Sequence, residues 1–479
     1  METRQMLING QWVNAASGEF FDDRNPYTGK VFARVPKGDE RDAELAMAAA
    51  FDARKPWSST PPSERARILF RAARLLEESM QEYVRVLVTE GGGTFGKAMF
   101  EIAQTIDLLQ TAAGDCKRIL GETFQTDPSK LSMTILSPKG TVVAISPWNF
   151  PLILSMYKVA YGLGTGNTVV LKPSSETPVI GLKIGELFEK AGLMPGALNV
   201  LTGPGALLGD ALIADERCSL VSLTGETATG RHVAKKAAEN LKEYILELGG
   251  KNPLIILADS DVDLAVNTAA FGAFLHQGQI CMSAGRIIVE EQIVLEFAKK
   301  LAAKAATLPK GDPRQPDTVV GPLINDDQVK KVHALVQDAV HKGASLLHGG
   351  SFEGRVYDPT VLSEVQPTMR IYHDETFGPV ASIIPVKDAA QALRVANDTL
   401  YGLSAGVITK DIHKALYLAE GLEAGMVHVN DISIDADACC PFGGWKDSGR
   451  GREGGRYSVE QYSETKWVTI QKGAKVFPF

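Results

Sequence analysis

The 479-residue chain has only five cysteines, Cys116, Cys218, Cys281, Cys439 and Cys440, and none forms a C-x-x-C pair. That excludes a disulfide framework and a cysteine-built metal cluster, so no metal is expected. Five unpaired thiols suit a reducing, cytoplasmic compartment. There is no basic block: 50 Lys and Arg stand against 57 Asp and Glu, for a net charge of −7. A surface that neutralises nucleic-acid phosphates is excluded on that ground. Long apolar runs are missing too. Stretches such as Val142–Ile145 and Leu254–Ala258 are strand-length, too short to cross a membrane. The segment Met1–Met6 lacks the apolar centre of a signal peptide. No internal repeat or low-complexity tract interrupts the chain.

What is present reads as a multidomain α/β protein. Met6–Ile8 and Gln11–Val13 flank Asn9-Gly10 as a hairpin. From Asp39 to about Gly121 the apolar residues recur at helical spacing. Phe124–Leu136 is polar and extended, the pattern of an edge or arm. Short strands then alternate with helices: Thr141–Ile145, Thr168–Leu171, Leu198–Leu201, Leu220–Leu223 and Ile245–Leu248 are the expected strands. That alternation implies a parallel sheet covered on both faces. Gly249-Gly250 breaks the run. A second α/β set follows, with strands expected at Leu254–Leu257, Arg286–Val289, Ser382–Pro385, Gly406–Ile408 and Met426–Val429. Tyr462–Ile470 reads as a final strand. The expected division is a Rossmann-like cofactor domain from 1–121 and 140–248, a second α/β catalytic domain from 249–445, and a small β oligomerisation arm from 122–139 and 446–479.

Five pieces carry chemistry. Cys281 follows Gly278-Gln279-Ile280, a turn that suits an exposed nucleophilic thiol, although an isolated free cysteine is more often a core residue. Glu247 ends an apolar strand before two glycines, where burial would raise its pKa towards that of a general base. Pro147-Trp148-Asn149-Phe150-Pro151 sits between a strand and a helix, at the carboxyl edge where ligands bind a parallel sheet. The Asn149 amide there can donate to an oxyanion. Lys172-Pro173-Ser174-Ser175-Glu176 occupies the next such turn. Thr224-Gly225-Glu226 opens onto a helix N-terminus, a natural seat for a pyrophosphate.

In this order and spacing, with Glu247 and Cys281 34 residues apart, the pieces resemble the aldehyde dehydrogenase superfamily over essentially the whole chain. Glu375-Thr376-Phe377-Gly378-Pro379, Val429-Asn430 and Pro441-Phe442-Gly443-Gly444-Trp445 extend the resemblance. It implies oxidation of an aldehyde to the acid with NAD or NADP through a Cys281 thiohemiacetal and thioester. Asn149 and the Cys281 amide would hold the oxyanion, Glu247 would activate water, and Lys158 would join a proton relay with Glu247. The cofactor would lie along Ile145, Ser146, Pro147, Trp148, Lys172, Ser175, Glu176, Gly205, Thr224, Gly225, Glu226, Leu248, Gly249, Glu375 and Phe377. A homodimer or homotetramer is implied as well.

Two departures bear on the cofactor. Many NAD-preferring members carry a glutamate three residues after the lysine, where this chain has Ser175 and places Glu176 one residue on. NADP acceptance, with Lys172 and Ser175 at the 2′-phosphate, is therefore expected. Glu226 stands where many members have serine. For the substrate, His276–Ser283 and Gly425–Asp431 look like the vanillin and benzaldehyde branch, which favours an aromatic aldehyde. Phe150, Tyr157, Ile280, Met282, Asp431 and Phe442 are the expected pocket. The loop Asp431–Cys440 has no aromatic residue but holds Asp431, Asp435 and Asp437, which keeps an aminoaldehyde or an aliphatic semialdehyde as the alternative substrate. A non-catalytic structural member of the fold is the alternative from another class; intact Cys281, Glu247 and Asn149 argue against it.

Overall fold

The computed structural model describes residues 2–479. Its first large sheet runs in the order Gly449–Arg450, Glu243–Glu247, Cys218–Thr224, Thr141–Ile145, Thr168–Lys172, Leu198–Val200, Met6–Ile8, Gln11–Val13. The five inner strands from Glu243–Glu247 to Leu198–Val200 are parallel, and the three outer ones pair antiparallel. Val142, Val143, Ala144, Val169, Val170 and Leu171 are fully buried because helices cover both faces. Strand order reverses between Thr141–Ile145 and Cys218–Thr224. The carboxyl ends of these two strands therefore open onto a crevice, the site expected for a ligand in a doubly wound sheet.

The second sheet runs Ser345–His348, Thr360–Ser363, Val380–Val386, Arg286–Glu290, Pro253–Ile256, Ser404–Ile408, Met426–Val429, all parallel except the first. The strands Ser345–His348 and Thr360–Ser363 were not expected. Ser463–Gln471 pairs along its whole length with Lys130–Pro138, which also pairs Thr123–Phe124. The Asn9-Gly10 turn has φ of 52° and 70°, the left-handed pair that a two-residue hairpin demands.

Some boundaries moved. The last of the four early helices, Phe95–Asp115, stops before Gly121. A Cβ at Gly121 would lie 2.0 Å from the Thr134 carbonyl oxygen, so the chain there already packs on the arm strand instead of coiling. Two pieces of 446–479 lie outside the arm. Gly449–Arg450 extends the first sheet beside Glu247, and the helix Gly455–Gln461 packs on Phe95–Asp115. No helix among the described residues is long and apolar enough to cross a membrane.

Candidate active site

The turn before Cys281 is built from residues in left-handed backbone. His276, Gln277 and Gly278 have φ of 48°, 57° and 69°. Such conformations cost non-glycine residues roughly 1–2 kcal/mol each, so neighbours must hold them. Gln277 Nε2 donates to the carbonyls of Gly92 and Pro322, and Gln279 Oε1 accepts from the Ile324 amide. Asn252 Nδ2 donates to the Cys281 and Ser283 carbonyls at 2.8 and 2.9 Å, and Ser433 Oγ donates to the Met282 carbonyl. Gly278 is obligatory, since a Cβ there would fall 2.1 Å from the Gly378 oxygen.

Two cavities meet at this turn. One, of about 420 Å³, is mostly apolar and is lined by Phe100, Phe150, Tyr157, Phe271, Met282 and Phe442 among others. The second, of about 390 Å³, is a cleft along the carboxyl edge of the first sheet. Cys281 and Leu154 border both. The Cys281 thiol is pushed up to about 12 by burial and by the carboxylates of Glu375 and Glu247; the amides of Met282 and Cys281 pull the other way.

Asn149 is buried at the cleft wall, and its Nδ2 donates to the Gln279 carbonyl at 3.0 Å, tying the turn after Thr141–Ile145 to the cysteine turn. Glu247 borders neither cavity. It lies buried behind Gly443, where a Cβ would meet its Oε1 at 2.6 Å, and both its oxygens lack hydrogen-bond partners. Burial and the Glu453 carboxylate raise its pKa well above the usual range, against the pull of Lys158 and Arg452. Lys158, expected in a proton relay with Glu247, bonds directly to other groups. Its Nζ donates to Thr224 Oγ1 at 2.7 Å and to Glu453 Oε1 at 3.0 Å, and Ser222 Oγ donates to the same oxygen at 3.2 Å. A buried ammonium takes the partner that neutralises it, and that partner, Glu453, was not foreseen from the sequence.

All fifteen residues expected along the cofactor line the 390 Å³ cleft, joined by Ser174, Thr229, Gln328 and Lys331. Their geometry fits a dinucleotide. The Lys172 ammonium is buried and donates only to the Pro173 carbonyl among the described residues, and burial lowers its pKa to about 8, a deficit that a bound anion would correct. Gly249 makes room for Glu375, whose carboxylate would lie 2.6 Å from a Cβ there and accepts from the Gly250 amide. Trp148 meets Phe377 edge to face at 5.4 Å. Ser175 Oγ donates to the Gly203 carbonyl. Glu176 is turned to Asn325, at the N-cap of the helix Asp326–His341, which donates to its Oε1 at 3.1 Å. Glu226 is exposed at the N-terminus of the helix Thr227–Glu239.

Five of the six expected substrate-pocket residues, Phe150, Tyr157, Ile280, Met282 and Phe442, line the apolar cavity. Asp431 does not. Its exposed carboxylate accepts from the next amide, Ile432, which turns it away at the end of the strand Met426–Val429. Asp435 lines the rim in its place. The expectation also missed Lys97, Glu101 and Gln104, contributed by the helix Phe95–Asp115. The signal was available: Lys97 and Glu101 are charged residues four apart, on the same helix face as apolar Ile102 and Leu108. Among the described residues no group of three His, Cys, Asp or Glu could hold a metal.

The chain belongs to the aldehyde dehydrogenase family, whose model matches residues 12–468. It is an NAD(P)-dependent enzyme of aldehyde oxidation. It is 39% identical to a vanillin dehydrogenase of Pseudomonas fluorescens, over 99% of each chain. It is similar to the crystal structure of a salicylaldehyde dehydrogenase from Pseudomonas putida G7 complexed with salicylaldehyde, with a TM-score of 0.98, 37% identity and full coverage of both chains. An NADP-dependent enzyme of E. coli aligns with a TM-score of 0.96 and 36% identity, over 98% of each chain.

Proposed function

We propose that the enzyme oxidises an aromatic aldehyde to its carboxylic acid through a thioester on Cys281. The observation that carries this reading is that Cys281 borders both the apolar cavity and the cofactor cleft. The Cys281 thiol releases its proton to water in the cleft, and the sulfur adds to the aldehyde carbon as a thiolate. The Asn149 amide and the Cys281 backbone N–H stabilise the resulting oxyanion, each worth roughly 2.7–4 kcal/mol in comparable sites. When bound in the cleft, NAD(P)⁺ supplies the acceptor for the hydride that the tetrahedral alkoxide expels. Glu247 then takes a proton from the water that attacks the thioester, which frees the acid and returns the Cys281 sulfur. Lys158 and Glu453 pass that proton away from Glu247.

Five aromatic side chains around the apolar cavity support an aromatic substrate, as do the relatives that act on vanillin and salicylaldehyde. The Lys97–Glu101 charges in the wall neutralise each other, so the interior offers no counter-charge to an ionic substrate. Asp435 at the rim favours the second reading, an aminoaldehyde. For the cofactor, we propose that NADP⁺ is accepted, with Lys172 and Ser175 at the 2′-phosphate; the bond from Asn325 that holds Glu176 supports this. The first sheet is assigned to cofactor binding and the second to catalysis. The arm Lys130–Pro138 with Ser463–Gln471 is assigned to a homodimer or homotetramer. The five free thiols suit a cytoplasmic setting.

The test is reduced-nicotinamide formation from benzaldehyde, vanillin, salicylaldehyde, a short aliphatic aldehyde and an aminoaldehyde, with each cofactor and with Cys281→Ala as control. Turnover that depends on Cys281 and is fastest on the aromatic aldehydes is expected. A preference for the aminoaldehyde would replace the substrate assignment, and activity in Cys281→Ala would remove the nucleophile. NADP⁺ turnover orders of magnitude below NAD⁺ turnover would overturn the role given to Ser175.

A further inference from the structure

The helix Pro151–Gly164 begins right after Asn149-Phe150, and no side chain of its own turn caps it. Its first free amides are satisfied from elsewhere. Glu101 Oε1 accepts from the Leu152 amide at 2.8 Å and from the Ile153 amide at 3.2 Å. The other oxygen of Glu101 pairs with Lys97 Nζ at 2.5 Å. Lys97 Nζ in turn donates to the backbone carbonyl of Asn149 at 2.7 Å and lies 4.2 Å from the centre of the Phe150 ring. Lys97 and Glu101 are both almost fully shielded from solvent.

An ammonium has three N–H donors, and here all three are engaged: one by Glu101, one by the Asn149 carbonyl and one by the face of Phe150. Glu101 holds two backbone amides on one oxygen and Lys97 on the other. Lys97 has no donor left for a substrate, although both side chains border the substrate cavity. Burying an ion pair is poorly repaid in stability alone, since apolar residues of similar size do as well or better. What this pair does that apolar residues do not is hold one carbonyl and two amides at fixed points around Asn149.

We propose that Lys97, anchored by Glu101, is a positioning residue for the oxyanion donor: by holding the Asn149 carbonyl it fixes where the Asn149 side-chain amide points. The inference rests on the oxyanion role given to Asn149 above. The Asn149 amide is thereby held at two ends, by Lys97 through its own backbone and by the Gln279 carbonyl through Nδ2. Phe150, beneath the Lys97 ammonium and in a T-shaped contact with the His276 ring at 5.4 Å, is placed by the same contact. The donor and the adjoining cavity wall therefore move together.

The test is a double-mutant cycle between Lys97→Met and Asn149→Ala. Two reactions are read. One is oxidation of the best aromatic aldehyde. The other is the cofactor-free burst of p-nitrophenol from p-nitrophenyl acetate, in which the Cys281 sulfur attacks the ester carbonyl, an oxyanion forms, and p-nitrophenolate leaves. Lys97→Met is expected to lower kcat and the burst rate on the order of a hundredfold, the effect of displacing an aligned group by about 1 Å. Cofactor affinity should stay unchanged. In the Asn149→Ala background the same substitution should cost less than threefold, because there is no donor left to misplace. An equal loss in both backgrounds, or none in the first, overturns the proposal. If Asn149→Ala alone leaves both rates intact, the oxyanion reading itself falls and this inference with it. Melting temperature is followed in parallel. If Lys97→Met fails to fold, Lys97→Arg decides by the same comparison of backgrounds, since it keeps the charge beside Glu101 while its planar guanidinium cannot sit where Nζ sits.

Discussion

At the scale of single residues, the site is governed by burial of groups that must later carry charge. The Cys281 thiol, raised to about 12, is a poor nucleophile in the free enzyme at neutral pH. Its alkylation by iodoacetamide should therefore climb about tenfold per pH unit from 7 to 10 without levelling, because the thiolate fraction grows in that proportion. A plateau below pH 9 would mean that a cation not recognised in the site already stabilises the thiolate. Glu247 makes a second case. Its folded-state pKa lies above its unfolded one, so the folded protein holds an extra proton and loses stability as pH rises through the raised pKa. Glu247→Gln should melt higher than the parent at pH 8 and converge with it near pH 4, where both states are protonated. The same variant should give one burst of reduced nicotinamide per Cys281, followed by a steady rate lower by about 10²–10⁴. A loss of the burst itself would move Glu247 from the hydrolytic step to an earlier one. The sequence made Cys281, Glu247 and Asn149 legible through the order and spacing of the motifs that hold them, two on turns and Glu247 at a strand end. The bonds from Lys97 to the Asn149 carbonyl and from Lys158 to Glu453 were not, because they span 52 and 295 residues, and a single sequence carries no trace of such pairings.

At the scale of elements, the helices that follow two of the three cofactor-side turns are capped by a neighbour. Glu101 does this for Pro151–Gly164. Glu90, on the helix Met80–Gly91, accepts from the Val179 and Ile180 amides at the start of Pro178–Lys190. Neither N-cap side chain, Phe150 or Thr177, caps its own helix, so the early helices supply what these two turns lack. Asp23 sits against Glu90, and burial lifts its pKa to about 7. The cysteine turn is the element with least tolerance. Gly278→Ala should cost more than about 2 kcal/mol, from left-handed strain together with a clash on the Gly378 carbonyl. Denaturant unfolding measures this, and a midpoint unchanged from the parent would mean the turn relaxes freely. Most strands were legible from alternating β-rich runs and glycine breaks. Ser345–His348 was not, since it is half-exposed at a sheet edge and its short run lacks a buried face; Thr360–Ser363 was not, since a buried run of four residues has no alternation to read.

At the scale of the whole molecule, the arm strand Ser463–Gln471 forms one edge of its sheet and carries the exposed Trp467 and Ile470, while Leu131 and Ile135 are exposed on the paired strand. Long apolar edges of this kind are normally covered. Trp467→Glu should shift the protein to a smaller species in light scattering after size exclusion; an unchanged mass would place the interface elsewhere. The order of parallel strands made the crevice at the first sheet predictable, whereas the approach of the second sheet, which brings Glu375, Phe377 and Cys281 to its other wall, follows only from three-dimensional packing. That arrangement gives the catalytic sulfur two doors. An inert molecule filling the aromatic chamber leaves the dinucleotide's doorway clear, so it should compete with aldehyde in steady-state plots while raising no barrier to nucleotide exchange. With aldehyde and dinucleotide in these two cavities as proposed, the spent coenzyme and the finished acid would leave by separate exits.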